Sequence, residues 1–261
     1  MPGHHLHSIL QTLLRDEIIT ENVPSDYIEL IKTFRFYRDT ISQNIYYYTE
    51  LSQPAKLRFL KRVHYFKCNK RFHYIDIEEQ PEMPVLISAA AVQLTFGLRK
   101  YLLPFFKDFY ITPDAYSSPE DRQLYLGHVA PDGIHLSWKH FLEGFNNRKD
   151  GINVALHEMA HALQRQNFME DYGIDKEFIT DFSKYTQQTG PAFIQALLQR
   201  GSILRNYAFT NLQEFWAVSV EAFFEMPEQL KNYMPKLYDA LCDVLNQDPM
   251  SVDKIISTQS A

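Results

Sequence analysis

The chain has 261 residues, 45% of them hydrophobic and 22% charged, with a net charge of −6. Such a composition buries a real core and excludes disorder or low complexity over most of the length. The acidic balance argues against a nucleic-acid binder, which needs a basic face, and two cysteines supply neither a disulfide framework nor a four-thiolate zinc site.

Residues 1–21 show no basic patch followed by an apolar run, so no secretory signal is expected. His4, His5 and His7 read as an incidental cluster at an unanchored terminus. Helices are expected over residues 26–37 and 52–70, the second with Ser52 as N-cap and Pro54 in its first turn. The basic residues between Lys56 and Lys70 alternate with Leu57, Phe59, Leu60 and Val63, which reads as one solvated helix face. A short strand is expected at 72–77, then a helix over 85–98 opened by Met83 and Pro84. The longest apolar run, 85–94, is about half of what a bilayer span requires, so a soluble, cytoplasmic protein is expected. Pro104, Pro113 and Pro119 punctuate a loop-rich middle with a strand at 109–111. The alternation at 133–138 fits a half-buried strand. Helices follow at 153–166, 176–185, 192–200, 211–224 and 227–244. The pattern is α+β: one domain, with an N-terminal helical part to about residue 105 and a catalytic part over about 106–261.

The chemistry concentrates in His157-Glu158-Met159-Ala160-His161, an H-E-x-x-H pattern inside the 153–166 helix. Residues four apart on an α-helix lie about 40° apart around the axis, so both imidazoles project from one face. Two neutral imidazole nitrogens can thus sit about 2.0–2.1 Å from one Zn²⁺. Glu158, turned by about 100°, lies beside the metal as the base for its water. The rest of the helix is apolar (Ile152, Val154, Leu156, Met159, Leu163). Burying His157, Glu158 and His161 there without a metal leaves polar groups in need of partners. A catalytic zinc takes a third protein ligand and keeps one position open. The 211–224 helix offers Glu214 and Glu221, seven apart and so on nearly one face. Glu214 also stands three residues after Asn211, where a capping role is open to it, and spacing alone does not choose between the two carboxylates. A closed structural zinc site is disfavoured, because neither Cys68 nor Cys242 is near the motif. His128, His135 and His140 flank the 133–138 strand and read as ordinary surface or core histidines.

Beyond the motif, the chain resembles the Mlc titration factor A family of zinc peptidases, which are gluzincins. The resemblance rests on Asn153-Val154-Ala155-Leu156 ahead of the motif and Gly133-Ile134-His135-Leu136-Ser137-Trp138 upstream. It continues in Glu214-Phe215-Trp216-Ala217-Val218-Ser219, Glu221-Ala222-Phe223-Phe224, and the ending from Leu241-Cys242 to Gln247-Asp248-Pro249. Phe59-Leu60-Lys61-Arg62-Val63 and Ile87-Ser88-Ala89-Ala90-Ala91 also fit, so the likeness covers about residues 46–249.

This resemblance implies a mainly helical, zincin-like metallopeptidase domain with a small, mostly antiparallel sheet and one zinc per chain. It implies Glu214 as the third ligand, Glu221 behind it to orient a ligand, and Tyr207 as the phenol that stabilises the oxyanion. One departure concerns Gln164, where the family commonly has Asp: an amide accepts hydrogen bonds but brings no charge beside the ligands. The expected function is hydrolysis of peptide or protein substrates, with aminopeptidase action one form open to it. The 133–138 strand is expected to pair with an extended substrate as an exposed edge. As an alternative, the resemblance implies a regulatory binding protein that keeps the peptidase fold and sequesters a transcriptional repressor. Intact His157, Glu158, His161 and Tyr207 favour the enzyme. No direct nucleic-acid or membrane partner is expected.

Overall fold

The computed structural model describes residues 25–117, 123–168, 175–198, 203–251 and 255; the His4, His5 and His7 cluster and Pro119 lie outside them. Helix α1 (Ser25–Asn44) continues past residue 37, where the sequence pattern ended it, because Thr40 and Ile41 carry its buried face onward. A single turn, α2 (Tyr46–Thr49), leads to α3 (Gln53–Cys68). Ser52 stands at the N-cap of α3 with Pro54 in the first turn, yet its hydroxyl makes no capping hydrogen bond. Helix α4 (Glu82–Thr95) is buried from Met83 to Thr95 and occupies the centre of the molecule.

The basic face of α3 is only partly solvated. Arg62 donates to the carbonyls of Thr95, Phe96 and Leu98 at 3.0, 2.9 and 2.8 Å. Lys70 donates to those of Leu103 and Phe106, both at 2.7 Å. A helix end leaves its last carbonyls unpaired and slightly negative, and Arg62 caps α4 on that ground.

The strands are β1 (Arg71–Tyr74), β2 (Asp108–Thr112), β3 (Tyr116–Ser117), β4 (Leu124–Tyr125), β5 (Gly127–Ala130) and β6 (Gly133–Ser137). One sheet has the order β1-β2-β6-β5, and β3 with β4 forms a separate antiparallel ribbon. In the larger sheet β1–β2 and β2–β6 are parallel while β5–β6 is antiparallel. The class is α+β and mainly helical, as expected, but this sheet is mixed rather than mostly antiparallel. The crossover through α4 is what lets β1 and β2 run the same way. Strand β6, flanked on both sides, is not the exposed edge that its sequence suggested; β5 is.

Trp138, expected to end that strand, instead begins α5 (Trp138–Asn146), which Ser137 caps by accepting from His140 N. The motif helix α6 (Val154–Asn167) follows. Helix α7 (Lys176–Leu198) is continuous where two helices, 176–185 and 192–200, were expected. Pro191 withdraws one N–H from its ladder, and the remaining bonds carry the helix through. Past α8 (Leu212–Glu225), the single helix expected at 227–244 is two, α9 (Pro227–Tyr233) and α10 (Pro235–Leu245). Met234 precedes Pro235 and is pushed out of the helical region, to φ −136° and ψ 61°.

Trp216 of α8 is fully buried among Phe178, Phe182 and Tyr185 of α7. Its indole N–H donates to Ala160 O at 2.9 Å, inside the motif helix. This bond fixes how α8 lies along α6, and so how the two functional segments meet.

Candidate metal centre

Both helices that bring the motif residues together start from asparagine caps. Asn153 Oδ1 accepts from Leu156 N at 3.0 Å, and Asn211 Oδ1 accepts from Glu214 N at 2.9 Å. These bonds satisfy donors that a helix start leaves free. Asn153 does more, since its amide donates to Gly144 O and to Glu225 Oε1, each at 3.1 Å. Its backbone N–H reaches Glu221 Oε2 at 2.5 Å. The first residue before α6 is therefore tied directly to α8.

One turn into α6, His157 Nε2 lies 3.1 Å from His161 Nε2 and 3.1 Å from Glu214 Oε2, while His161 Nε2 is 3.5 Å from Glu214 Oε1. Ligand atoms of these three residues all fall within 4.8 Å of one another. Glu214 thus points at the imidazoles instead of folding back over its own cap. Glu221, completely buried, lies behind them. Its Oε1 accepts from His157 Nδ1 at 2.6 Å and from Arg205 Nη2.

The tautomers decide whether a metal fits. A Glu221 carboxylate only accepts, so the His157 Nδ1 that faces it carries the hydrogen, and in the neutral ring Nε2 presents a lone pair. Glu214 Oε2 is buried and faces His157 Nε2 at 3.1 Å without a well-directed hydrogen bond. Two imidazoles and a carboxylate converging on one point form a donor set suited to a zinc ion. With only the chain's own groups present, burial opposes a charged His157, but the Glu214 and Glu221 carboxylates beside it raise it to about 10. Burial pushes Glu214 up, yet His157 and His161 hold it well below the usual carboxylate range. Both shifts arise largely from the same contact between His157 and Glu214.

Glu158 is buried beside this cluster, and burial raises its carboxyl while His157 and His161 pull it down. It fits because residue 127 is glycine: a Cβ there would stand 2.7 Å from Glu158 Cγ. Tyr207 sits on a 3₁₀ turn (Asn206–Phe209), with its ring centroid 6.0 Å from that of His157. Burial, then the neighbouring Glu214 carboxylate, pushes its hydroxyl up to about 12. It remains a donor at neutral pH.

The cluster opens into a cleft of about 640 Å³, walled by Gly127, Gln164, Phe168, Tyr207 and Gln213 among others. Gln164 lies on this wall and makes no hydrogen bond to His157, His161 or Glu214. His128 also lines the cleft, with Nδ1 2.6 Å from the Tyr116 hydroxyl and its ring stacked on His135 at 4.3 Å. His135 and His140 take ordinary positions, each beside an aspartate, Asp132 and Asp114 respectively. Sequence reasoning overlooked Arg205 and Gly127. A carboxylate at 221 amid apolar neighbours was the available sign that a cation had to be found for it.

A profile of the glucose-regulated metallo-peptidase M90 family matches residues 32–245. Curated relatives include the proteins named Mlc titration factor A of Yersinia pestis (strain Pestoides F) and Yersinia pseudotuberculosis serotype O:1b (strain IP 31758). Each is 28% identical over 124 residues, which cover 45% of this chain and 45% of the relative. The match thus spans about half the length of these relatives. Among the described residues, no helix is long and apolar enough to cross a membrane.

Proposed function

Because the chain belongs to the glucose-regulated metallo-peptidase M90 family, we propose that it is a zinc-dependent peptidase of the gluzincin type. His157, His161 and Glu214 hold the ion, one per chain, and Glu158 is the base. The observation that carries this reading is the convergence of those three donor groups, with ligand atoms all within 4.8 Å of one another.

When bound, the zinc supplies the charge that acidifies water and polarises the scissile carbonyl. Glu158 accepts the proton of the attacking water and passes it to the leaving amine nitrogen. Its raised pKa suits a group that must both take and release that proton. The Tyr207 hydroxyl, protonated across the working range, donates to the oxygen on which negative charge develops. Glu221, itself held by Asn153 N and Arg205, fixes the Nδ1–H tautomer of His157 and so aims Nε2 at the ion. An extended peptide pairs with the free edge of β5, where Gly127 lies against Glu158.

The reading also takes the chain as one metallopeptidase domain acting on peptide or protein substrates in the cytoplasm. The name of the Yersinia relatives speaks of titrating Mlc, and on that ground a transcriptional regulator is proposed as a binding partner. Pull-down with and without a chelator separates partner binding from metal-dependent cleavage.

The central test joins metal analysis with peptide cleavage. Glu158→Gln keeps zinc and loses cleavage, whereas Glu214→Ala loses the metal. A wild-type protein that takes up no zinc on titration, or a Gln variant that cleaves at the wild-type rate, refutes the mechanism.

A further inference from the structure

The free edge of β5 carries its own constraint on what the cleft can hold. Ser137 N donates to Leu126 O at 2.9 Å, and Ala130 pairs with Gly133 across a two-residue turn. In an antiparallel pair such residues alternate, so Leu126, His128 and Ala130 turn their backbone groups towards β6, while Gly127 and Val129 turn theirs outward. Gly127 lies against Glu158, and Val129 is two residues further on, about 7 Å along the strand.

The outward carbonyl of Val129 is already taken. Arg165 Nη1 donates to it at 2.9 Å. Arg165 stands four residues after His161, on the cleft face of α6, and its side chain is exposed. Among the described residues lining the cleft it is the one lysine or arginine, whereas Glu158 and Glu214 face it from the catalytic end.

We propose that Arg165 closes the pairing edge of β5 and selects peptides with a carboxylate two residues from the scissile bond. An added strand finds both backbone groups of Gly127 and the N–H of Val129, and then meets a guanidinium. One of five N–H donors is spent on Val129, and the remainder form a fork that suits an Asp or Glu side chain or a chain-terminal carboxylate. A free α-ammonium at the same place is repelled. The inference rests on the peptidase reading for the position of the scissile bond, but the charge selection stands on Arg165 and β5 alone.

The test scans Asp through a neutral quenched peptide, over three positions on each side of the cut, with zinc-loaded protein. The expected result is a preference on the order of five- to tenfold in kcat/KM at one position two residues from the cut, shrinking as salt is raised. Arg165→Gln brings the acidic-to-neutral ratio to about one, and Arg165→Glu inverts it in favour of Lys. Equal cleavage of acidic and neutral peptides by the wild type, or a ratio unchanged in both variants, overturns the proposal and leaves the peptidase reading intact. A second readout is anisotropy of the same peptides on zinc-loaded Glu158→Gln protein, which binds without cutting. Arg165-dependent preference in binding with no cleavage by the wild type overturns the peptidase reading alone. No preference in either measurement overturns the selection by charge.

Discussion

Replacing Glu221 by Gln is the sharpest probe of the site, because it exchanges one oxygen for an NH₂ and keeps the shape. The two carboxylate oxygens have distinct duties: Oε1 accepts from His157 Nδ1 and Arg205 Nη2, and Oε2 accepts from Asn153 N. A Gln amide has one acceptor and one NH₂, so either orientation sets N–H against N–H. With the amide oxygen towards His157, Asn153 N loses its partner; flipped, His157 and Arg205 lose theirs. A buried donor left unpaired costs about 1–3 kcal/mol. Losing the charge that faces Arg205 adds to this, though that side chain is 32% exposed and water relieves part of the cost. A total of about 2–4 kcal/mol corresponds to a fall in Tm on the order of 4–16 °C for a chain of this size. The imidazole is also released from its tautomer, and such outer contacts typically contribute about 10–100-fold to metal affinity. Competition of the purified protein against a zinc-binding dye reads the affinity, and thermal melts with and without zinc read the stability. A Gln variant that binds zinc within threefold of wild type would show that Glu221 does not set the state of His157.

Two further outcomes follow from single contacts. Gly127→Ala puts a methyl group 2.7 Å from Glu158 Cγ; kcat is expected to fall on the order of 10²-fold as the base is displaced, with zinc content unchanged, and a kcat within threefold of wild type would rule out the steric argument. Burial, reinforced by Lys107, lowers Lys70 from 10.5 to about 7, so between those values the unfolded chain holds a proton that the folded chain has released. Stability therefore rises with pH across that window, full above the unfolded value and lost as pH falls through 7. Denaturation midpoints from pH 6.5 to 10 should show this slope and Lys70→Met should flatten it; equal slopes in both proteins count against the assignment.

Much of the site was legible because its information is local. Both functional helices were expected to within a residue at each end, since Asn153 and Asn211 mark the starts and the H-E-x-x-H spacing fixes one face. The choice between Glu214 and Glu221 was not local. Seven residues apart, they share a face, and the bonds that tie α8 to α6, from Trp216 to Ala160 O and from Asn153 to Glu221 and Glu225, place one carboxylate over the imidazoles and the other behind them. Arg205 escaped notice for the same reason, as its partner is 16 residues away and set by packing. The period of two at 133–138 located a strand correctly but said nothing about its neighbours, so β6 was taken for the edge that β5 provides. The break between α9 and α10 was written in the sequence at Met234-Pro235, and there the length of the apolar pattern outweighed the proline.

Charge explains why these particular residues cohere. Glu158, Glu214 and Glu221 bring three carboxylates into one space where Arg205, bonded to Glu221, is the guanidinium. Fully ionised, they exceed that guanidinium by two negative charges, which a low-dielectric interior does not tolerate. A proton on His157 removes one of the two, and the raised pKa of Glu158 shows where a second would go. A protonated Glu158 cannot act as a base. A divalent cation between His157, His161 and Glu214 neutralises the same excess while leaving Glu158 free to ionise. On the proposed reading, the ion therefore does more than polarise the substrate: its charge opposes the upward push of burial on Glu158 and favours the ionised form that accepts a proton.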